Sequence, residues 1–383
     1  MSENNEKPRS KLSKILPYIT ATAIYLLVSY VRGDATDAQS SSGTTTLTIV
    51  IVLLSAIIGL FAQIILSEVG RLICGLLSGY KFVSYNIFFK TMLIKVNGKL
   101  KMKKFLSALG NEACMMAPPQ PVNELYPYAL YLLGSAFMSF LLSGVFLFIF
   151  MALKDVFPYA GAVFIPNIAI GLLLGLLDFL PLRIYIIVSA GYYMAAIRGS
   201  ERVRRANWFY LAAYAKISFG ERLKNIHSEW FEFPEEYDFN DPILAKLACL
   251  GISRLIDSHD FNEAKILALR FLCNGDKLSK TFIEEVRCEL LFLEIIGEAC
   301  EKRTEDIQRL YTYDLVRHIE LFKSNLSKLR LKYAYKRLVL NDSEEAQETL
   351  ETFNKTCNEF PFAGICESER ELIAIVDDLA AEI

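Results

Sequence analysis

No histidine precedes residue 227; the chain has three, His227, His259 and His318. Residues 1–226 therefore lack the commonest metal ligand and general base of hydrolytic sites. The eight cysteines include no C-x-x-C pair, and six of them follow residue 248. That spacing argues against a zinc ribbon or a disulfide framework and suits a reducing compartment. A Gly-rich phosphate loop is missing too, since Gly275-Asp-Lys277 is only a turn. The net charge of -2 supplies no basic surface, so nucleic acid is not an expected partner. Apolar residues, by contrast, make up 53% of the chain. They crowd into long runs before residue 198, and the remainder is charged.

Four of these runs reach roughly the 20 residues that a membrane-spanning helix needs. They are 15–32, 46–66, 128–153 and 163–182. The first has no clean small-residue cleavage site and reads as a retained span, not a signal peptide. The second stays apolar to about Gly79, too long for one simple crossing. A fifth piece, 184–197, is short for a span and reads as re-entrant, interfacial or the end of a broken fourth helix. Lysine and arginine bias sets sidedness. Lys7, Arg9, Lys11 and Lys14 precede the first span, and "GDATDAQSSSGTTT" after it holds no basic residue. Seven lysines lie between Lys81 and Lys104, one lysine near 154–162, and Arg198, Arg202, Arg204 and Arg205 follow the last apolar piece. The alternation predicts four crossings with both termini cytoplasmic.

Between the second and third spans, "KFVSYNIFFKTMLIKVNGKLKMKKF" alternates around Asn97-Gly98. An Asn-Gly step between β-like runs predicts a small β-hairpin, placed within a loop at 81–125 on the cytoplasmic membrane face. Beyond residue 199, apolar residues recur at three- and four-residue spacing in "DPILAKLACLGISRLI", "FNEAKILALRFLC" and "IEEVRCELLFLEIIG". Asp260-Phe-Asn-Glu-Ala264 and Asp342-Ser-Glu-Glu-Ala346 look alike as helix starts with a capping Asp. These features predict a cytoplasmic α-helical, solenoid-like domain of the tetratricopeptide kind over 199–383. The expected fold class is mainly α: a basic N-terminus at 1–14, a polytopic membrane core at 15–198 with the hairpin inserted, then the helical domain.

Within "ILSEVGRLICGLLSGY" (65–80), Glu68 and Arg71 lie three residues apart in one of the most apolar parts of the chain. Ionised groups at membrane depth are expensive unless paired. The zinc-protease signature H-E-x-x-H sets two histidines on one helix face to grip zinc while the glutamate activates the bound water. Ser67, Glu68 and Arg71 occupy those three slots. The surrounding residues resemble the site-2 protease family of intramembrane zinc metalloproteases, in its bacterial form. "SEVGRLICGLLSGYKFVSY" is similar to the family's HExGHxxxGLLSGYKFVSF outside the histidines. "NGKLKMKKF" and "ACMMAPP" resemble its hairpin and the loop that follows. "YPYALYLLGSAFMSFLLS" resembles its next helix, whose G-x-x-x-N/S/G motif falls on Ser135 and Ser139. "DFLP" holds the family's N-x-x-P, with Asp178 for Asn and Pro181 at its end, and Ala190-Gly191 stands where the family has D-G. The resemblance covers residues 46–208.

The same resemblance implies that the family's chemistry is lost. A catalytic zinc takes three protein ligands. Ser67 is a poor ligand, Arg71 is a fixed cation, and Ala190, in the third ligand's slot, has no donor; only Glu68, the general base, survives. A pseudoprotease without zinc or any other cofactor is expected, in a bacterial cytoplasmic membrane. A cluster of Glu68, Arg71 and Asp178 either glues helices together or, with Ser135, Ser139, Pro181 and Gly191, lines a polar groove. The expected partners are membrane lipid, a membrane-embedded or extended peptide, and another membrane protein such as an active homologue. Peptide maturation, export or immunity is the setting that family analogy suggests. The alternatives are an active intramembrane metalloprotease whose metal site is unrecognised or completed by a partner chain, and a purely structural subunit. Ser67 has no base in reach to act as a nucleophile. Cys74 and Cys114 read as buried or loop thiols, and Asp257, His259 and Asp260 as capping and turn residues, not metal ligands.

Overall fold

A computed structural model describes residues 42–382 except 89–90, 97–98, 105–113, 185–186, 298–306 and 308. The basic segment 1–14, the expected span at 15–32 and the Asn97-Gly98 turn lie outside the described residues. Helix dominates, with one small four-stranded sheet. The described chain divides into two compact units, one holding 42–74, 128–183 and 188–194, the other 75–127, 184–187 and 195–382.

The first unit is built on helices α1 (Ser42–Leu77), α2 (Tyr128–Leu153) and α3 (Ala160–Phe179), plus the start of α4 (Ala190–Gly199). Among the described residues these first three helices are long and apolar enough to cross a membrane. Leu53, Ile58, Leu141, Phe148 and Leu172 stand exposed on them, as expected of surfaces solvated by lipid. The apolar run from 46 to 77 is one continuous helix of 36 residues with its first turn. At ~1.5 Å per residue that is about 54 Å, against ~30 Å of hydrocarbon. Helix α2 has the bounds expected of the third span. Helix α3 ends three residues before the expected 182, because Leu180 turns extended (φ -73°, ψ 145°) ahead of Pro181; the residue before a proline is disfavoured in the α region. Among the described residues, the piece at 184–197 holds no helix long enough to cross. Its short strands Arg183–Ile184 and Ile187–Val188 lead into α4, whose 10 residues span only about 15 Å.

Small and polar residues bring these helices together, as is usual where apolar burial cannot drive association in lipid. A Cβ on Gly70 of α1 would lie 2.4 Å from the carbonyl oxygen of Gly134 on α2. Between α1 and α3, Asn167 Nδ2 donates to Ser55 Oγ (2.8 Å) and Ser55 Oγ donates to the Val163 carbonyl (2.6 Å). Ser143 Oγ on α2 shares its proton between the Ser139 carbonyl of its own helix (2.9 Å) and the Ile168 carbonyl on α3 (3.3 Å).

The second unit opens with an antiparallel sheet of β1 (Lys81–Phe88), β2 (Thr91–Val96), β3 (Lys99–Lys104) and β4 (Cys114–Ala117), in the order β3-β2-β1-β4. Strands β2 and β3 form the expected hairpin, with Val96 opposite Lys99. The expectation of a lone hairpin followed by a loop is corrected: "CMMA" is a strand paired to β1, with Cys114, Met115 and Met116 all buried. Helix α5 (Glu201–Ser218) packs on β1 and β4. Trp208 Nε1 donates to the Pro119 carbonyl (2.8 Å), and Asn207 Nδ2 to Tyr126 Oη (2.8 Å).

Helices α6 (Pro242–Asp257), α7 (Phe261–Asn274) and α8 (Lys280–Ile296) pack in chain order after α5. Then come α9 (Tyr313–Leu321), α10 (Leu326–Ala334), α11 (Ser343–Glu359) and α12 (Ala363–Glu382). Asp342 caps α11 by accepting from the Glu345 N–H (3.0 Å). Asp260 stands at the matching position of α7, yet its side chain makes no capping bond; the turn is made by His259 at φ 63°. Asp257 is not a turn residue at all. It is buried, accepting from Arg222 Nε (3.1 Å) and from the Lys224 N–H (2.8 Å).

Candidate functional site

Four elements of the first unit converge on one polar chain. On α1, one turn separates Glu68 from Arg71, and Arg71 Nη1 lies 3.3 Å from Glu68 Oε2. Both side chains are largely buried, 17% and 13% exposed. Arg71 Nη2 donates to Ser135 Oγ on α2 (3.2 Å). Ser135 Oγ in turn donates to Asp178 Oδ2 near the end of α3. Asp178 Oδ1 accepts from the backbone N–H of Ala190, the first residue of α4 (2.9 Å).

Close backbone approach makes short side chains sufficient for this chain. A Cβ on Gly134 would sit 2.8 Å from the Cα of Arg71, so α1 and α2 touch one residue away from Ser135. A Cβ on Gly191 would sit 2.1 Å from the carbonyl oxygen of Phe179, so the start of α4 lies against the end of α3 beside Asp178. Pro181, exposed, ends α3 there. Ser189 fastens the same corner: its Oγ accepts from the N–H of Tyr192 (3.1 Å) and of Leu182 (2.9 Å) and donates to the Leu180 carbonyl (2.5 Å).

The formal charges are two negative and one positive. Glu68 and Arg71 cancel as a pair. Asp178 is met by the Ser135 hydroxyl and by the N-terminus of α4, where unsatisfied N–H groups and the helix dipole favour an anion. The arrangement can hold three charged side chains away from water, and it leaves the carboxylate of Glu68 engaged by a permanent cation.

The zinc of the family that the sequence resembles does not fit these residues. Ser67 Oγ donates along its own helix to the Ile64 carbonyl (2.9 Å). Arg71, at the position that the sequence resemblance gives to the second ligand, is a guanidinium paired with Glu68, and Ala190 contributes only its backbone N–H. Among the described residues, no three of His, Cys, Asp and Glu come together as a metal-holding group. Cys74 on α1 and Cys114 on β4 are thiols.

Of the residues singled out from sequence, Glu68, Arg71, Ser135 and Asp178 are brought together, with Ala190 joined through its backbone. Ser139 is buried one turn along α2, its Oγ donating to the Ser135 carbonyl (3.1 Å), so its bond is internal to the helix. Gly191 acts by lacking a side chain. Gly70, Gly134 and Ser189 escaped the sequence reading. Only Ser189 carried a usable signal, a serine directly before a helix start.

No family signature, curated protein or solved structure matches the chain.

Proposed function

We propose that the chain is a membrane protein of the site-2 protease type that has lost its zinc and works by binding, not by cleavage. Arg71 carries this reading. Its guanidinium is paired with Glu68 and bonded to Ser135, in the slot where the family's second zinc-binding histidine would stand. A group that is always protonated cannot ligate a metal. A glutamate held by it has no metal-bound water to activate. Ionisable groups kept inside a membrane usually mark a functional site, and here the function is recognition of a membrane-embedded or extended peptide, or of a partner membrane protein. The helices after residue 199, read as a tetratricopeptide-like domain, supply the docking surface on the cytoplasmic side. Four crossings with cytoplasmic termini, in a bacterial cytoplasmic membrane, complete the proposal.

Rebuilding the ligands tests the correspondence of positions on which the proposal rests. A Ser67→His/Arg71→His/Ala190→Asp variant, purified in mild detergent, should bind about one equivalent of zinc. If the folded triple variant takes up no zinc, the three positions do not share a site and the family reading fails.

A further inference from the structure

The helical part of the second unit encloses a partly open cavity of about 160 Å³. Helices α5, α6, α8, α10 and α12 contribute to its wall. A cavity of about 150 Å³ is enough for a ligand of benzene's size, some six heavy atoms. Tyr210, Tyr214, Phe360 and Phe362 line it, and so do the carboxylate residues Asp257, Glu285, Glu289 and Glu369.

The carboxylates do not balance. Asp257 is met by Arg222, which also pairs with Glu371, and Glu371 has Lys224 as a further cation at 3.5 Å. Glu285 is matched by Lys328 at 3.0 Å and by His318 at 2.9 Å. Glu289 and Glu369, however, share one cation: Arg330 pairs with Glu289 through Nη2 and with Glu369 Oε1 through Nη1 at 3.1 Å. Glu369 is 7% exposed, and its second oxygen, Oε2, is buried with no hydrogen-bond partner among the described residues. Such a group is costly to bury unless something answers it.

We propose that this cavity is a binding site for a primary ammonium carried on a short aliphatic chain, with Glu369 as its counter-ion. The volume fits an alkyl chain of four or five carbons with its nitrogen. The aromatic lining suits the methylenes. An ammonium brings three donors and one positive charge, which are what Glu369 Oε2 and the unbalanced pair of carboxylates lack. A lysine side chain of a bound peptide and a free alkylamine share this chemistry. The site does not depend on whether the membrane helices bind a peptide.

The competing answer to the charge deficit is a proton. Burial, opposed by Arg330 and reinforced by Glu289, pushes the Glu369 carboxyl up to about 7, with Lys328 lowering it and Asp257 raising it further. Ammonium binding needs the carboxylate, so affinity should fall as pH drops through that value. An alkylamine, with a pKa near that of lysine, stays charged throughout.

The test is calorimetric titration of the full-length protein in mild detergent with n-butylamine and with Nα-acetyl-lysine methylamide, using n-butanol as the neutral control. Both amines should bind more tightly than butanol, and about tenfold more weakly at pH 6 than at pH 8. A lysine derivative that outbinds butylamine would name a peptide as the source, and the reverse order a free amine. Glu369→Gln should weaken binding at least tenfold. Ser368→Leu, which fills the cavity and leaves every carboxylate in place, should abolish it. Butanol binding as well as butylamine, or an affinity unchanged in a folded Glu369→Gln protein, would overturn the assignment.

Discussion

At the scale of single residues, Arg71 is the pivot. Arg71→Leu leaves Glu68 charged in largely buried surroundings, and breaking a buried pair on one side costs about 3–5 kcal/mol. Replacing both partners by apolar residues is often close to neutral. Glu68→Leu/Arg71→Leu should therefore recover most of the stability lost in Arg71→Leu, measured as the melting temperature in detergent. A double variant as unstable as the sum of the two single ones would mean that the pair is not coupled. Glu68, Arg71, Ser135 and Asp178 were legible in the sequence because each is polar in an apolar run or sits in a motif slot. The part played by Ala190 was not legible: it offers a backbone N–H, which every residue type except proline carries, and only the fold sets that N–H 2.9 Å from Asp178.

At the scale of elements, the glycine contacts set how closely the helices approach. Gly191→Ala would place a methyl 2.1 Å from the Phe179 carbonyl oxygen. Helix α4 must then move away from α3, and the bond from Ala190 to Asp178 stretches. Overpacking of this kind costs about 1–3 kcal/mol. Gly199→Ala in the same helix is the control, since its Cβ would meet nothing within 4 Å. Gly191→Ala should melt clearly below it; equal melting would show that the α3–α4 contact does not hold the site. Helix α2 was readable to its ends because Pro127 and Lys154 bound a mainly apolar run with no charged residue. Strand β4 was not. Cys114–Ala117 is four residues long, buries three in succession and shows no alternation. Its strand character comes from partners far away in sequence, with Lys81 opposite Ala117 and Tyr85 opposite Cys114. Likewise, local sequence placed Asp260 and Asp342 at equivalent helix starts, and a left-handed residue precedes each, His259 (φ 63°) and Asn341 (φ 52°), yet only Asp342 bonds as a cap.

At the scale of the whole molecule, the chain divides by which side chains it exposes. Helices α1 to α3 show apolar side chains outward and polar ones inward, while α5 to α12 bury apolar residues and pair charges within. The contrast was visible in composition alone. The sheet's grouping with the later helices was not, because it depends on α5 covering β1 and β4. The proposed function rests on the Arg71 guanidinium, at the position that the sequence resemblance gives to a zinc ligand. Elemental analysis of the native protein, purified in mild detergent beside Glu68→Gln, tests that directly. Less than about a tenth of an equivalent of zinc in both is the expected result, since a closed or catalytic zinc site would hold close to one. Near one equivalent in the native protein would contradict the account and require a ligand set other than Ser67, Arg71 and Ala190.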